Sequence, residues 1–277
     1  MKVSFKTAPM NTDWPSMRDV WVEADEMGVF AAGWTFDHFM ATRGDGPCLE
    51  GWVLLSSLAA ITSRVRLGVM VTGNTYRHPA VLANMAATLD LISDGRLELG
   101  IGAGWHEQEH RMYGIELPPL KERFDRFDEA LEVVHLLLTR DVSDFTGVHY
   151  QLRGAVCNPK PVQRPRPPFV IGGNGEKRTL RSAARWADHW NYLSMDGFDM
   201  DVFRHKLDVL AEWCEKVGRP YEDVEKSIQT WLGDPASLPE RMAMAAEAGA
   251  HHLIIGLPAP HRVADLEALA EAVREAG

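Results

Sequence analysis

Eight repeats of a strand followed by a helix, closed into a (β/α)8 TIM barrel, is the α/β architecture this sequence predicts. Three observations carry that expectation. The alternation runs the length of the chain, the chain has 277 residues where such barrels need about 250, and its strands are near-continuous apolar runs, as strands covered on both faces must be. An open doubly wound sheet would instead carry a glycine-rich dinucleotide fingerprint after its first strand. The residues at that place are Thr7-Ala8-Pro9-Met10.

Taken in order, Val3 to Ala8 reads as the first strand. Asn11-Thr12-Asp13 offers caps for a helix from Ser16 to Met27, and Gly28 ends it. Phe30 to Phe36 is the second strand and delivers Asp37 and His38 at its C-terminal end. A breaker-rich loop from Arg43 to Gly51 precedes an apolar helix from Trp52 to Ile61. Arg66 to Val71 is the third strand, Thr72 to Thr75 a loop, and Pro79 opens a helix reaching Ile92. Leu97, Leu99 and Ile101 mark the fourth strand. Leu120, Phe124, Phe127, Leu131, Val134 and Leu138 then step by four and three along one helix face.

The rhythm breaks over 141–168. A small hairpin from Phe145 to Leu152, followed by prolines from Pro159 to Pro168, reads as an insertion before strand five, lying over the barrel mouth as part of a lid. Phe169–Ile171, His189–Leu193, Lys226–Trp231 and Leu253–Leu257 complete the strands, with helices between them and a last helix ending near Arg274. One domain, residues 1–277, is expected.

The balance of 29 Lys+Arg against 39 Asp+Glu, a formal net charge of −10, argues against nucleic acid or an anionic membrane as partner. Cys48, Cys157 and Cys214 are far apart and form no CxxC pair, so neither a metal site nor a disulfide framework is expected. The first ten residues lack the apolar stretch of a signal peptide, and no apolar run approaches the ~18 residues of a membrane span. A soluble cytoplasmic protein acting on a small molecule is the expectation.

In a barrel of this kind the chemistry sits at the C-terminal strand ends. The fourth strand ends in Gly102-Ala103-Gly104 and runs at once into Trp105, His106, Glu107 and Glu109. Such a bend lets a ligand approach the backbone closely, or serves only packing. Gly172-Gly173-Asn174-Gly175 opens a helix that carries Lys177, Arg178 and Thr179. Free backbone N–H groups and the helix dipole make that a phosphate cradle. His38 is the group suited to proton transfer near neutral pH, with Asp37 as a possible orienting group. No GxSxG, HExxH or paired catalytic carboxylates appear, so hydrolase chemistry is disfavoured. A glycine-rich cradle beside aromatic residues suits a planar phosphorylated cofactor.

Together, Leu67-Gly68-Val69, Tyr76 to Ala80, Gly95 to Trp105, Tyr113-Gly114 and Ile171 to Leu180 resemble the bacterial luciferase-like flavin monooxygenase superfamily, and most of all its coenzyme F420-dependent branch. The resemblance covers almost the whole chain in the right order. It implies a deazaflavin lying across the mouth and stacked near Met70, Val71 and Thr72, with a non-prolyl cis peptide near Met70-Val71. The cofactor would also contact Gly102, Ala103, Gly104 and Trp105, and its phosphate would meet Gly172, Gly173, Asn174, Gly175 and Thr179. The Asp37-His38 pair matches the family's DH at the end of strand two, where the histidine lies close to the reactive carbon. The implied activity is hydride transfer between F420 and an unidentified organic substrate; the alternative is an FMN-dependent, oxygen-using monooxygenase. Family members often dimerise. One departure stands out: the sugar-phosphate dehydrogenases of the branch carry an acidic residue where this chain has Trp105, so a sugar phosphate is disfavoured. Trp34, Trp52, Trp105 and Trp231 point instead to an apolar or planar substrate, unless they are core residues.

Overall fold

The computed structural model describes residues 1–194 and 198–276. The chain begins with β1 (Lys2–Lys6), α1 (Trp14–Met27), β2 (Ala32–Thr35), α2 (Gly51–Ile61), β3 (Arg66–Val69) and its short continuation β4 (Thr72–Gly73). α3 (Pro79–Ile92), β5 (Leu97–Gly102), α4 (Glu107–Tyr113) and α5 (Leu120–Thr139) follow. A hairpin of β6 (Ser143–Thr146) and β7 (Gln151–Ala155) intervenes. Then come β8 (Phe169–Gly172), α6 (Thr179–Trp186), β9 (His189–Leu193), α7 (Met200–Val217), β10 (Glu225–Trp231), α8 (Leu238–Glu247), β11 (His252–Gly256) and α9 (Val263–Ala276).

With β3 and β4 counted as one strand, eight parallel strands form a ring. β1 pairs with β2 on one side and with β11 on the other, from Lys2↔His252 to Lys6↔Gly256. β3 pairs with β5, and β5 in turn with β8. The expected (β/α)8 TIM barrel is therefore the architecture found. Its local signals are those read in the sequence. Asp13 caps α1 by accepting the Ser16 N–H at 2.9 Å, Gly28 closes that helix at φ 61°, and Pro79 occupies the first turn of α3.

Alternation along β1 shows how the barrel divides its side chains. Val3 and Phe5 pack outward into the main core, where the Phe5 ring meets Trp21 of α1 edge-on at 5.2 Å. Ser4 and Lys6 point to the other face, where they bond His252 and Gln229. A smaller apolar layer of Ala32, Trp34, Met70, Val170 and Ile254 fills the barrel interior.

Two expectations change. Thr72–Gly73 is not loop but strand, paired with Ile101 and Gly102. It is offset from β3 by the cis Met70–Val71 peptide that the resemblance implied. The hairpin inserted before strand five forms, but it packs beside the mouth, where Asn74 past β4 donates to the Tyr150 hydroxyl at 3.3 Å, rather than lining it. Its turn is held against α5, where the Glu129 carboxylate accepts the N–H groups of Val148, His149 and Tyr150 at 2.8 to 3.0 Å. Among the described residues, none of the hairpin lines the mouth cavity. No helix of the described residues is long and apolar enough to cross a membrane.

Candidate active site

A cavity of about 350 Å³ opens at the C-terminal end of the barrel. Its wall includes Asp37, His38, Met70, Val71, Gly102, Gly104, Trp105, Gly172, Gly173 and Trp231, all named from the sequence, together with Lys6, Tyr76, Asn191 and Gln229.

The cavity is shaped by glycines gathered around one valine. A Cβ on Gly102 would lie 2.7 Å from Val71 Cγ2, and one on Gly172 would lie 3.1 Å from Val71 Cγ1. A Cβ on Gly100 would lie 1.9 Å from the Val69 carbonyl oxygen. The glycines of β5 and β8 therefore serve packing first: they let Val71 stand into the mouth, which leaves a flat, side-chain-poor wall beside it. Gly104 is different. It sits at φ 87°, where L side chains rarely go, and a Cβ there would meet Thr75 Oγ1 at 2.6 Å. Arg123 of α5 holds this bend by donating to the Gly104 carbonyl at 2.8 Å.

His38 stands on the loop past β2 and is oriented by a residue 71 positions away. Its Nδ1 lies 2.8 Å from Glu109 Oε2. Glu109 Oε1 accepts the Phe39 N–H at 2.6 Å, and Tyr76 donates its hydroxyl to Oε2. Burial works against the charged carboxylate. The hydrogen bonds from Tyr76, His38 and Phe39 overcome it and hold the Glu109 carboxyl below its ordinary range. The first turn of α4, where Glu109 sits, adds the favourable end of a helix dipole. An ionised Glu109 places the imidazole proton on Nδ1 and leaves Nε2 free to face a ligand. Burial lowers the His38 pKa, with Glu109 opposing it in part, so the ring is neutral at pH 7. The Trp105 ring meets the His38 ring edge-on at 5.6 Å. Tyr76, its hydroxyl spent on Glu109 and its ring half-buried, has its pKa pushed far up.

Asp37 does not orient His38. Its buried carboxylate is taken by Arg77, with Nη2 at 3.0 Å from Oδ1 and Nη1 on Oδ2, and by the Thr72 hydroxyl at 2.7 Å. Thr72 in turn accepts from Trp52 Nε1. The residues read as catalytic partner and cofactor contact thus form a buried brace, Asp37-Arg77-Thr72-Trp52, that fixes the loop carrying His38. The same brace accounts for Trp52, and Trp34 is fully buried in the barrel interior. Trp105 and Trp231, 61% and 43% exposed, are the two tryptophans that line the mouth.

The loop after β8 is only partly open. Gly172 and Gly173 face the cavity. Asn174 is occupied, donating to the Leu193 carbonyl at 2.8 Å and accepting the Leu193 N–H at 3.1 Å. Thr179 packs beneath the loop, where a Cβ on Gly175 would lie 2.9 Å from its hydroxyl. Ala103, Asn174, Gly175 and Thr179 lie outside the cavity wall itself. α6 begins with no side-chain cap, but its Leu180 N–H is already given to the Gly175 carbonyl at 3.0 Å, so only part of its first turn is open to an acceptor. Arg178 is committed to Asp125 at 3.0 Å, and Arg181 to Asp128; Lys177 stays exposed.

Sequence reading missed Lys6 and gave Glu109 and Tyr76 no role. Lys6 Nζ donates to the Met70 carbonyl at 3.0 Å and to Gln229 Oε1 at 3.1 Å. Its signal was present: a strand buried on both faces carries a lysine at an inward position.

The sequence profile of the luciferase-like monooxygenases matches residues 3–277. An F420-dependent glucose-6-phosphate dehydrogenase of Amycolatopsis mediterranei is 31% identical over 237 residues, covering 84% of this chain and 69% of that protein. Another, of Kineococcus radiotolerans, is 34% identical over 247 residues, covering 87% and 71%. The solved structure of an F420-dependent secondary alcohol dehydrogenase superimposes with a TM-score of 0.87 over 100% of both chains at 18% identity.

Proposed function

The chain belongs to the luciferase-like monooxygenase family, and from that premise we propose that it is an oxidoreductase moving a hydride between coenzyme F420 and a small organic substrate. The observation that carries this reading is the pairing of a flat, glycine-walled cavity with one oriented neutral histidine at its rim. Relatives named for F420-dependent dehydrogenation support F420 ahead of FMN.

The residues fit such a group. The side-chain-poor wall at Gly102, Gly104, Gly172 and Gly173 would admit a planar ring against Val71 and Met70, with Trp105 at its edge. The Thr179 N–H at the start of α6, where no side chain caps the helix and Leu180 is already bonded to Gly175, would take the phosphate. When bound, the deazaflavin supplies the hydride chemistry. His38 would hold the substrate oxygen through Nε2 and pass or receive the proton there. Glu109 would fix the imidazole and stabilise its charged form when it takes the proton. Tyr76 and the Phe39 N–H keep Glu109 ionised.

The substrate side of the cavity is lined by Phe36, Trp105 and Trp231, which favours a planar or apolar compound over a sugar phosphate. The test is a paired titration of the apoprotein with F420 and with FMN, read by fluorescence. F420 binding at least tenfold tighter than FMN is expected. Tighter FMN binding, with oxygen uptake in the presence of reduced FMN, would move the chain to the monooxygenase reading.

A further inference from the structure

Lys6 is a buried charged group in the mouth that the proposed hydride chemistry leaves unused. It is 9% exposed, lies at the C-terminal end of β1, and lines the cavity. Its two hydrogen bonds go to neutral acceptors, the Met70 carbonyl and Gln229 Oε1. Among the described residues it forms no ion pair. An ammonium has three N–H donors, so one is left over, and a buried cation without a counter-charge is costly unless a ligand brings one.

The groups facing it from each packed element explain why none supplies that charge. Asp37, past the end of β2, is consumed by Arg77 and Thr72. Glu109 is consumed by His38, Tyr76 and the Phe39 N–H. β10 offers Gln229, Thr230 and Trp231, and β11 ends in Ile254, Ile255 and Gly256. Arg43, also on the wall, is a second cation. Burial lowers the Lys6 pKa to about 7, so the lysine is poised to take up a proton when an anion enters.

We infer that Lys6 Nζ is an anion-anchoring residue, which takes a negatively charged oxygen from a planar molecule lying in the barrel mouth. The oxygen has two possible sources, a carboxylate on the substrate or a ring oxygen of the bound deazaflavin. In the first case the substrates of the proposed reaction are organic acids carrying an aromatic or otherwise planar body. That refinement alone rests on the proposed function; an anion site at Lys6 does not.

The test uses benzoate as the anionic probe and benzyl alcohol as its neutral counterpart, titrated calorimetrically into apoprotein and F420-loaded protein. In wild type, benzoate affinity should fall at least tenfold between about pH 6 and about pH 9 as Lys6 loses its proton, while benzyl alcohol affinity stays level. Cys48, pushed up to about 11 by burial, does not titrate in that window, and any part played by His38, whose pKa burial lowers, is confined to its acid end and persists in Lys6→Met. Lys6→Met should remove the benzoate advantage and its pH dependence together. If benzoate binds F420-loaded wild type as it binds apoprotein, and Lys6→Met leaves F420 affinity intact, the anion belongs to the substrate. If F420 displaces benzoate, and Lys6→Met weakens F420 at least tenfold, it belongs to the cofactor ring. Benzoate affinity in wild type that is flat with pH, or equal to that of benzyl alcohol, overturns the inference and needs no variant to fold. Failure of F420 to bind while benzoate still shows the pH dependence would sink the cofactor reading and leave the anion site standing.

Discussion

The two ends of this barrel each hold two histidines and a glutamate within 4.8 Å of one another, and they are built to opposite purposes. At the N-terminal end the trio is His189, Glu225 and His252; at the mouth it is His38, His106 and Glu109. At the N-terminal end every valence is spent inside the protein. His252 bonds Ser4 at 2.7 Å and Glu225 at 3.0 Å. His189 bonds Ser227 at 2.6 Å and lies 3.6 Å from Glu98, and Lys2 closes on Glu225 at 2.7 Å. At the mouth, Glu109 is equally saturated, yet His38 keeps Nε2 open and His106 Nδ1 is buried without a hydrogen bond. The same residue types hold strands together at one end and leave one imidazole, His38, facing the cavity at the other. Satisfaction of the hydrogen bonds, more than composition, distinguishes a brace from a site.

The largest expected effect on stability therefore belongs to the closed end. Burial opposes ionisation of Glu98, but His189 and Arg66 hold it at about 2. A carboxylate depressed from 4.5 to about 2 contributes on the order of 3 kcal/mol above its unfolded pKa, and this is lost as pH falls through about 2. Glu98→Leu should lower stability by about 3 kcal/mol at pH 7 and flatten its acid dependence below about pH 4.5. Urea denaturation across that range checks both, and an unchanged midpoint at pH 7 would mean the network carries no stability.

Glu109→Gln sharpens the contrast from the other end. It should cut kcat about 10- to 100-fold at a smaller cost in stability, because the glutamine side chain can still accept from Phe39. In wild type, the lowered His38 pKa puts the acid limb of kcat/KM below the ordinary histidine value, with activity rising as pH rises through it. An acid limb above about 6.5 would contradict a neutral resting His38.

Gly104→Ala forces a side chain into φ 87° against Thr75 and should cost about 1 to 2 kcal/mol, with weaker F420 binding, measured as a melting shift and a titration. The smallest effect is expected at Lys177, which is exposed. Lys177→Gln should change F420 affinity by less than about threefold at physiological salt, where exposed charges are screened.

The barrel was legible because parallel strands covered on both faces must be apolar runs, and turn glycines and prolines separate them. The mouth was legible only where it is local. Gly102 to Trp105 and Gly172-Gly173 announce themselves by composition, and Asp37-His38 by adjacency. That adjacency misled about Asp37, because Arg77, which occupies it, is 40 positions along the chain. Glu109 reaches His38 only through the closure of β2 next to β3 and β5, a tertiary fact that no spacing encodes. Lys6 was hidden by reading β1 as a uniform strand, although Ser4 and Lys6 alternate with Val3 and Phe5 as inward polar positions do. Asn174 and Thr179 look like ligand groups in a glycine-rich run, and the fold spends them on Leu193 and on packing beneath Gly175.

The role proposed for His38, oriented by Glu109 and serving hydride transfer to or from F420 in this mouth, has one direct test. The direct measurement follows the absorbance of oxidised F420 anaerobically with a panel of small alcohols and organic acids, comparing wild type with His38→Ala and titrating F420 into both. Bleaching by wild type, at least about 100-fold slower in a variant that binds F420 equally well, is the predicted result. Equal rates in the two proteins would contradict the account.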